Sequence, residues 1–303
     1  MQAFVGVTDR DWFELLRATP GLDEVNFWQP SGNRGFKALL PGELFLFKLH
    51  SPLDYIVGGG VFAYSSLIPI SLAWESFGLS NGARSLPEMR HRVEKYRREA
   101  ESRTSDYTIG CILLEQPFFL PRDAWIPIPS DWKSNIVQGK GYDLSIEPGL
   151  SIWKNLHFGS TVSNIIREEG SRYGDTVLIL PRLGQGSFRV MVTDAYERRC
   201  ALTSERTLPA LDAAHIMQFS EQGGNTVSNG ILLRRDLHAL LDRGYLTITP
   251  SMIVEVSGRI REEFENGKDY YRLQGSTIRL PANPKDRPSK VSLEWHNNNV
   301  YLG

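Results

Sequence analysis

The sequence is poor in cysteine, and its cysteines are not arranged as a metal site. Only two occur among 303 residues, Cys111 and Cys200, and they lie far apart. Because no CxxC pair exists, zinc fingers are excluded and a disulfide framework is not expected. With 303 residues, the chain is long for one domain and natural for two.

The sequence also lacks a strong excess of charge and long apolar runs. The formal net charge is -1, so a nucleic-acid binder of this composition must concentrate its positive charge locally. No stretch approaches the ~20 apolar residues that span a bilayer. The opening residues, MQAFVGVTDRDW, have neither the basic region nor the apolar run of a secretory signal. We therefore expect a cytoplasmic protein.

Motifs of several other enzyme classes are missing as well. There is no GxGxxG Rossmann pattern and no Walker motif. The glycine run at 58–60 is not followed by Lys-Ser/Thr, so we interpret it as a bulge or a close approach of two backbones. An enzyme that does not act on nucleic acids therefore has little support.

The first half alternates strand and helix signals. Strands are predicted at 3–7, 36–40, 43–49, 55–64 and 109–114, and capping boxes at 8–11 and 85–88 predict two helix starts. This order favours an α+β fold, a small barrel with helices at its rim. We predict a domain over 1–155, a linker over 156–172 and a second domain over 173–303.

The second half contains three polar residues at a distinctive spacing. A strand end at 211–216 is predicted to deliver His215 to a loop, after an apolar stretch at 188–192 that we take as a strand. Asn229 follows 14 residues later (229 − 215), and His238 another 9 residues later (238 − 229). We predict a helix over 230–243 that carries His238 and, one turn on, Asp242, and that ends at Gly244.

These residues and their flanks resemble the ββα-metal (HNH) nuclease module. The similarity covers roughly 172–300 and includes LGQGSFRVMVTDAYERRCALTSERTLPALDAAHI and SNGILLRRDLHALLDRGYLTITP. It implies that His215 is the general base, a role that suits an imidazole at neutral pH. It also implies that His238 is a ligand of a divalent metal, Mg²⁺ or Mn²⁺, with Asp212 and Asp242 as the nearby acidic groups. Asn229 is expected to brace the loop.

Two positions depart from the family pattern. Ala214 stands where many members carry a metal ligand, and Gln218 where many carry proline. Arg199, Arg234 and Arg235 are candidates for contacts with the DNA backbone, although an exposed solubilising role is equally compatible with the sequence.

The first half resembles the PUA superfamily, which includes EVE, YTH-like and SRA domains. The similarity rests on AFVGVTDRDW, VNFWQPSG, YIVGGGVFAY and LAWESFG. It implies a pocket for a flipped modified base, with Trp28 and Trp74 as stacking walls and Thr8, Asp9 and Asn26 as polar groups. The alternative is that the tryptophans belong to the core and that Asp9 is a first-turn helix acid.

Together the two resemblances imply a modification-dependent restriction endonuclease. Its N-terminal domain would read 5-methylcytosine or 5-hydroxymethylcytosine in double-stranded DNA, as in defence against phage. One HNH site cuts one strand, so a double-strand break would need a homodimer or successive nicking. Alternatives are a nuclease whose first domain reads RNA or unmodified sequence, and a non-catalytic nucleic-acid reader with a decayed HNH module.

Overall fold

The chain forms two structural units. The computed structural model describes residues 1–97, 105–158, 183–218 and 223–303. The units are Met1–Ser187 and Phe188–Gly303. Most of the predicted linker, 159–172, lies outside the described residues, so the domain limits at 155 and 173 stay predictions.

Unit 1 is built around one mixed sheet. Its helices and strands are β1 (Gln2–Thr8), α1 (Arg10–Arg17), β2 (Glu24–Gln29), β3 (Leu44–Leu49), β4 (Tyr55–Pro69), α2 (Ile70–Phe77), α3 (Leu86–Glu94), β5 (Thr108–Phe119), β6 (Ile126–Pro127), β7 (Gly139–Asp143) and α4 (Gly149–Phe158). The strand order is β2-β5-β4-β3-β1-β7, with β6 against β4. Strands β1 and β3 are parallel, and the other pairs are antiparallel. Over the described residues this path is open, and no closed barrel is formed; the α+β class is confirmed, whereas the barrel is not shown.

The glycine run lies inside the long strand β4. A Cβ atom on Gly58 would lie 2.3 Å from the carbonyl oxygen of Phe118, and one on Gly59 would lie 2.5 Å from that of Phe45. Side chains at these positions would separate β4 from its neighbours on both sides. The interpretation as a close backbone approach is confirmed.

The two predicted helix starts have different outcomes. Ser85 caps α3 by accepting a hydrogen bond from the Glu88 amide, as the capping box predicts. The box at Thr8 is wrong. Helix α1 has Asp9 at its N-cap without a side-chain cap, because Thr8 is still in β1 and its hydroxyl donates to the Gly6 carbonyl oxygen.

The strand predicted at 36–40 does not form. The apolar character of this segment comes from packing, since the Phe36 ring lies 5.0 Å from that of Phe4 and 5.4 Å from that of Phe62. The Phe36 amide donates to the Ser65 hydroxyl on β4 rather than to the backbone of a neighbouring strand. In sequence, apolar residues that pack on the face of a sheet have the same pattern as residues of a further strand.

Unit 2 consists of small sheets packed against helices. Its elements are α5 (Gln185–Ala195), which begins in unit 1, β8 (Leu211–His215), β9 (Gly230–Arg234), α6 (Arg235–Asp242), β10 (Leu246–Ile248), β11 (Val254–Val256), α7 (Arg259–Phe264), α8 (Lys268–Tyr271) and α9 (Lys290–Asn299). Strands β8 and β9 pair antiparallel, as do β10 and β11. One core joins α5, β8, β9 and α6.

Two predictions about these elements are wrong. The first five residues of the predicted helix 230–243 form β9, and the helix begins only at Arg235. Residues 188–192 belong to helix α5 rather than to a strand. Both segments are largely buried and mostly apolar, so their pattern fits either structure and periodicity cannot separate a strand from a helix here. Gly244 has φ of 75° and follows Arg243, the C-cap of α6, so it stands at the C′ position predicted for it.

Among the described residues, no helix combines the length and the apolar character needed to cross a membrane.

Candidate active site

The hairpin of β8 and β9 positions the predicted motif. His215 ends β8 and pairs in register with Gly230 on β9. A Cβ atom at position 230 would lie 2.4 Å from Cγ2 of Val192 and 2.9 Å from the Phe188 ring. Only glycine lets the hairpin lie this close to α5, which brings Phe188 to His215.

The imidazole of His215 is held by a stack and a hydrogen bond. Its ring centre lies 3.9 Å from that of Phe188, with 8° between the planes. Its Nε2 lies 2.9 Å from Oδ1 of Asn225. An amide oxygen can only accept, so this bond places the proton on Nε2 and leaves the lone pair on Nδ1. Burial lowers the pKa of His215, and the ring is therefore neutral at pH 7.

Asn229 joins the two ends of the loop that follows β8. Its side-chain amide donates to the carbonyl oxygens of Met217 (2.9 Å) and Gly224 (3.1 Å). Its Oδ1 accepts from the Met217 amide at 3.0 Å, and its own carbonyl accepts from Ile216. Asn229 is buried, so these bonds are shielded from water. This is the geometry that a loop brace requires.

His238 lies between two carboxylates. Its Nδ1 is 3.2 Å from Oδ2 of Asp212 on β8, and its Nε2 is 3.3 Å from Oδ2 of Asp242, one turn along α6. Burial alone would lower the pKa of His238, but hydrogen bonds to both carboxylates outweigh it and raise the pKa to about 9. Asp212 also lies 3.8 Å from Nε of Arg189. Despite its burial, Asp212 has a lowered pKa because His238 and Arg189 favour its ionised form.

The donor chemistry of this group fits a divalent ion. Two carboxylates and an imidazole are ligand types that Mg²⁺ or Mn²⁺ accepts. In their present placement both nitrogens of His238 are bonded to the carboxylates. Over residues 1–97, 105–158, 183–218 and 223–303, no three His, Cys, Asp or Glu side chains converge as a metal cluster. Binding an ion would therefore require His238 to exchange one of these hydrogen bonds for the metal.

Comparison with known families decides the nature of this site. Residues 200–249 match a family model described as HNH endonuclease, and this segment contains Asp212, His215, Asn229, His238 and Asp242.

The C-terminal unit carries an HNH endonuclease domain. The protein is thus a nuclease.

Other comparisons add little. No curated protein matches the chain. A solved structure described as the modification dependent TagI restriction endonuclease has 11% sequence identity and a TM-score of 0.29, over 93% of this chain and 77% of that one.

Three further residues contact the motif, and two of them precede the segment that matches the family model. Asn225 and Phe188 hold the His215 ring, and Arg189 faces Asp212. Sequence reasoning missed them because each acts through another residue. Two features of the sequence could have pointed to them. Asn225 is an amide residue between His215 and Asn229, and Phe188 and Arg189 are an aromatic and a basic residue side by side before β8.

The arginines predicted to contact DNA lie in different surroundings. Arg234 forms a bidentate salt bridge with Asp236. Arg235 is exposed at the start of α6. The Nε atom of Arg199 is buried and has no hydrogen-bond partner among the described residues. Arg235 alone of the three is exposed beside the HNH motif.

The residues predicted to form a base pocket divide into two groups. Asn26 and Trp28 lie in the interior of unit 1: Nδ2 of Asn26 donates to Oδ1 of Asn81 at 2.9 Å, and Nε1 of Trp28 donates to the Asn81 carbonyl oxygen at 3.1 Å. Nδ2 of Asn81 in turn donates to the Ala73 carbonyl oxygen, next to the half-buried Trp74. The structure brings these three residues near one another, but as a hydrogen-bonded interior.

Thr8 and Asp9 lie elsewhere, at the end of β1. Thr8 is buried and bonded to Gly6. Asp9 accepts a hydrogen bond from the Tyr96 hydroxyl at 2.6 Å and lies 3.4 Å from Nε2 of His50. Both residues are therefore engaged in contacts within unit 1.

Proposed function

We propose that this protein is a modification-dependent DNA endonuclease. Its HNH domain hydrolyses phosphodiester bonds with His215 as general base. Its N-terminal unit directs this activity to double-stranded DNA that carries 5-methylcytosine or 5-hydroxymethylcytosine. The observation that carries the nuclease part is the neutral His215, fixed by Asn225 and Phe188, beside the Asp212–His238–Asp242 group.

His215 takes a proton from the attacking water at Nδ1. Because the proton lies on Nε2, which is bonded to Asn225, Nδ1 is free to accept a proton. The lowered pKa keeps the ring neutral near pH 7. Asn229 holds the loop so that the lone pair is aimed at the phosphate. The imidazolium that forms is stabilised by the Asn225 amide oxygen.

The group around His238 would hold the divalent ion. Asp212 and Asp242 supply oxygen ligands and His238 a nitrogen ligand. When bound, such an ion neutralises charge on the phosphate and on the leaving 3′ oxygen. Arg189, next to Asp212, keeps that carboxylate ionised and oriented.

Selectivity is assigned to unit 1. A nuclease module of this size has little intrinsic sequence preference, and the N-terminal sequence resembles the PUA superfamily. Because one HNH site cuts one strand, we propose that double-strand breaks arise from a homodimer or from successive nicking. Defence against phage with modified cytosine is the biological setting that fits this combination.

The catalytic assignment is tested with His215→Ala. Purified protein is incubated with plasmid DNA and Mg²⁺ or Mn²⁺, and nicked and linear products are quantified. The variant should lose at least a factor of about 100, the lower range for general-base catalysis. His91→Ala, at an exposed position in unit 1, is the matched control and should cut normally. Undiminished cutting by His215→Ala would refute the assignment.

Modification dependence needs a separate experiment. Duplexes of one sequence with cytosine, 5-methylcytosine or 5-hydroxymethylcytosine are compared under identical conditions. We expect cutting of one or both modified duplexes and little cutting of the unmodified one. Equal cutting of all three would leave the nuclease assignment intact and remove the proposed reader function.

A further inference from the structure

Helix α5 begins directly after a residue that cannot cap it. Its first residue is Gln185, and the residue before it, Gly184, has no side chain. The amides at the start of a helix have no acceptor within that helix, and a buried amide needs one. Gly186 and Ser187 are both buried, so the acceptors for their amides have to come from another part of the chain.

Glu24, the first residue of β2, supplies both acceptors. Its Oε1 lies 2.7 Å from the amide nitrogen of Gly186, and its Oε2 lies 2.8 Å from that of Ser187. The three residues belong to unit 1, so these bonds lie within one unit. A residue next to the helix usually makes such bonds, whereas Glu24 comes 162 positions before Gly186.

Two glycines let the start of α5 lie this close to its neighbours. A Cβ atom on Gly184 would lie 2.3 Å from Cδ of Glu24, and one on Gly186 would lie 2.6 Å from the carbonyl oxygen of Ser76 on α2. Both distances are shorter than carbon atoms of side chains allow. The first turn of α5 is therefore held by packing as well as by hydrogen bonds.

Glu115 makes a third hydrogen bond to the same segment. Its Oε2 lies 3.1 Å from the amide nitrogen of Gly184. Burial raises the pKa of Glu115 to about 8, so this side chain is mostly protonated at pH 7. Its cross-strand partner Glu24 then faces the partial positive charge of the helix start without a second negative charge beside it.

The residues that follow in the same helix support the active site. Phe188 stacks on the imidazole of His215, and Nε of Arg189 lies 3.8 Å from Oδ1 of Asp212. Helix α5 is continuous from Ser187 through these two residues, with a rise of about 1.5 Å per residue. A shift or rotation of its first turn therefore moves both side chains that contact the HNH motif.

We propose that Glu24 is a positioning residue for the nuclease reaction. By holding the first turn of α5, it fixes the stack on His215 and the contact with Asp212. This inference rests on the proposed role of His215 as general base. The residues on which cutting depends then extend far outside the segment 200–249 that matches the HNH family model.

The test compares Glu24→Ala with Glu43→Ala in the full-length protein. Glu43 is a matched control because it is also 9% exposed and also accepts from two backbone amides, those of Gln2 and Leu40, which lie outside α5. Denaturant titration should show reduced stability for both variants. Only Glu24→Ala should be impaired in cutting when both are folded.

The decisive quantity is the single-turnover cutting rate of folded protein, set against the Kd for the same DNA in EDTA. Glu24→Ala should cut at least about tenfold more slowly with nearly unchanged Kd, since a displacement of about 1 Å can slow a reaction about 100-fold. Glu43→Ala should cut at the wild-type rate. Glu24→Gln keeps one acceptor oxygen, so it should lose less activity, and it replaces Glu24→Ala if the alanine variant does not fold.

A second measurement does not depend on cutting. Protein labelled with ¹³C at Cε1 of its six histidines is studied by NMR, and the His215 signal is the one that His215→Ala removes. Because the ring current of Phe188 acts on the stacked imidazole, both Glu24 variants should move this signal and Glu43→Ala should not.

The proposal is overturned if the His215 signal stays in place in the Glu24 variants, or if they cut at the rate of Glu43→Ala. If His215→Ala itself cuts normally, the general-base assignment fails. The NMR comparison would still show whether Glu24 positions the ring.

Discussion

At the scale of single residues, the site depends on how each histidine is partnered. His215 has a neutral amide and an aromatic ring as neighbours, whereas His238 has two carboxylates. The first environment lowers a pKa and the second raises one. The two histidines thus differ in protonation: the surroundings of His215 favour the neutral ring, and those of His238 favour the protonated one.

The partner of His215 should set the pH dependence of cutting. A general base must be neutral, and a lowered pKa keeps His215 neutral at more acidic pH than an ordinary histidine. Cutting should therefore decline only below the usual histidine pKa of about 6.5. Asn225→Asp should shift this decline to higher pH, because a carboxylate stabilises the imidazolium.

The measurement is the single-turnover cutting rate as a function of pH for wild type, Asn225→Asp and Asn225→Gln. Asn225→Gln keeps an amide at this position. It should therefore change the cutting rate more than the pH at which cutting declines. Identical pH profiles for wild type and Asn225→Asp would show that Asn225 does not act through the base.

Removal of the Asn229 side chain should affect both stability and activity. Asn229→Ala leaves the Met217 amide and the carbonyl oxygens of Met217 and Gly224 without their partner. We expect a loss of about 1–3 kcal/mol in the free energy of unfolding, measured by denaturant titration. The cutting rate should also fall under conditions where the variant is fully folded, so that the lower stability does not account for the loss of activity. A folded variant with normal cutting would exclude the brace.

At the scale of elements, the hairpin tolerates no side chain opposite His215. Gly230→Ala would bring a methyl group into Val192 and Phe188. Overpacking of this kind costs about 1–3 kcal/mol, and here it would also disturb the stack on His215. Melting temperature and cutting should both fall.

Gly258→Ala is the control for this change. Gly258 has no atom within 4 Å of the added methyl group and helical backbone angles. It should behave as the wild type in both measurements. If Gly230→Ala matches this control, the close packing of β9 on α5 is not required for catalysis.

Sequence reasoning predicted the elements whose boundaries have local chemical signals. Ser85 and Gly244 mark a helix start and a helix end through capping and a positive φ. The failures are segments such as 188–192 and 230–234, which are largely buried and mostly apolar, so that a helix and a strand give the same pattern. The contacts of Asn225 and Arg189 could not be predicted, because they depend on how a loop and a helix are brought to β8.

At the scale of the whole molecule, buried ionisable groups make stability depend on pH. Glu115 on β5 is fully buried, opposite Glu24 on β2, and burial raises the pKa of Glu115 to about 8. The folded state thus keeps a proton that the unfolded state releases near its ordinary pKa of about 4.5. Stability from this group is present in acid and is lost as pH rises from there towards about 8.

Glu115→Gln should remove this dependence. The variant should gain stability relative to the wild type as pH rises to about 8, with a smaller difference near pH 5. Denaturant titrations at several pH values measure it, with the exposed Glu265→Gln as control. A constant difference between variant and wild type over this range would mean that Glu115 ionises normally in the folded protein.

The hydrogen bonds of Asn229 have a consequence for the thermodynamics of turnover. They draw Met217, Gly224 and the end of β8 together before any DNA is bound. The conformational entropy of Met217 and Gly224 is therefore lost during folding rather than in each catalytic cycle. Without the Asn229 side chain, Met217 and Gly224 would have to become ordered each time the transition state forms. The loss of cutting would then appear mainly in the activation entropy.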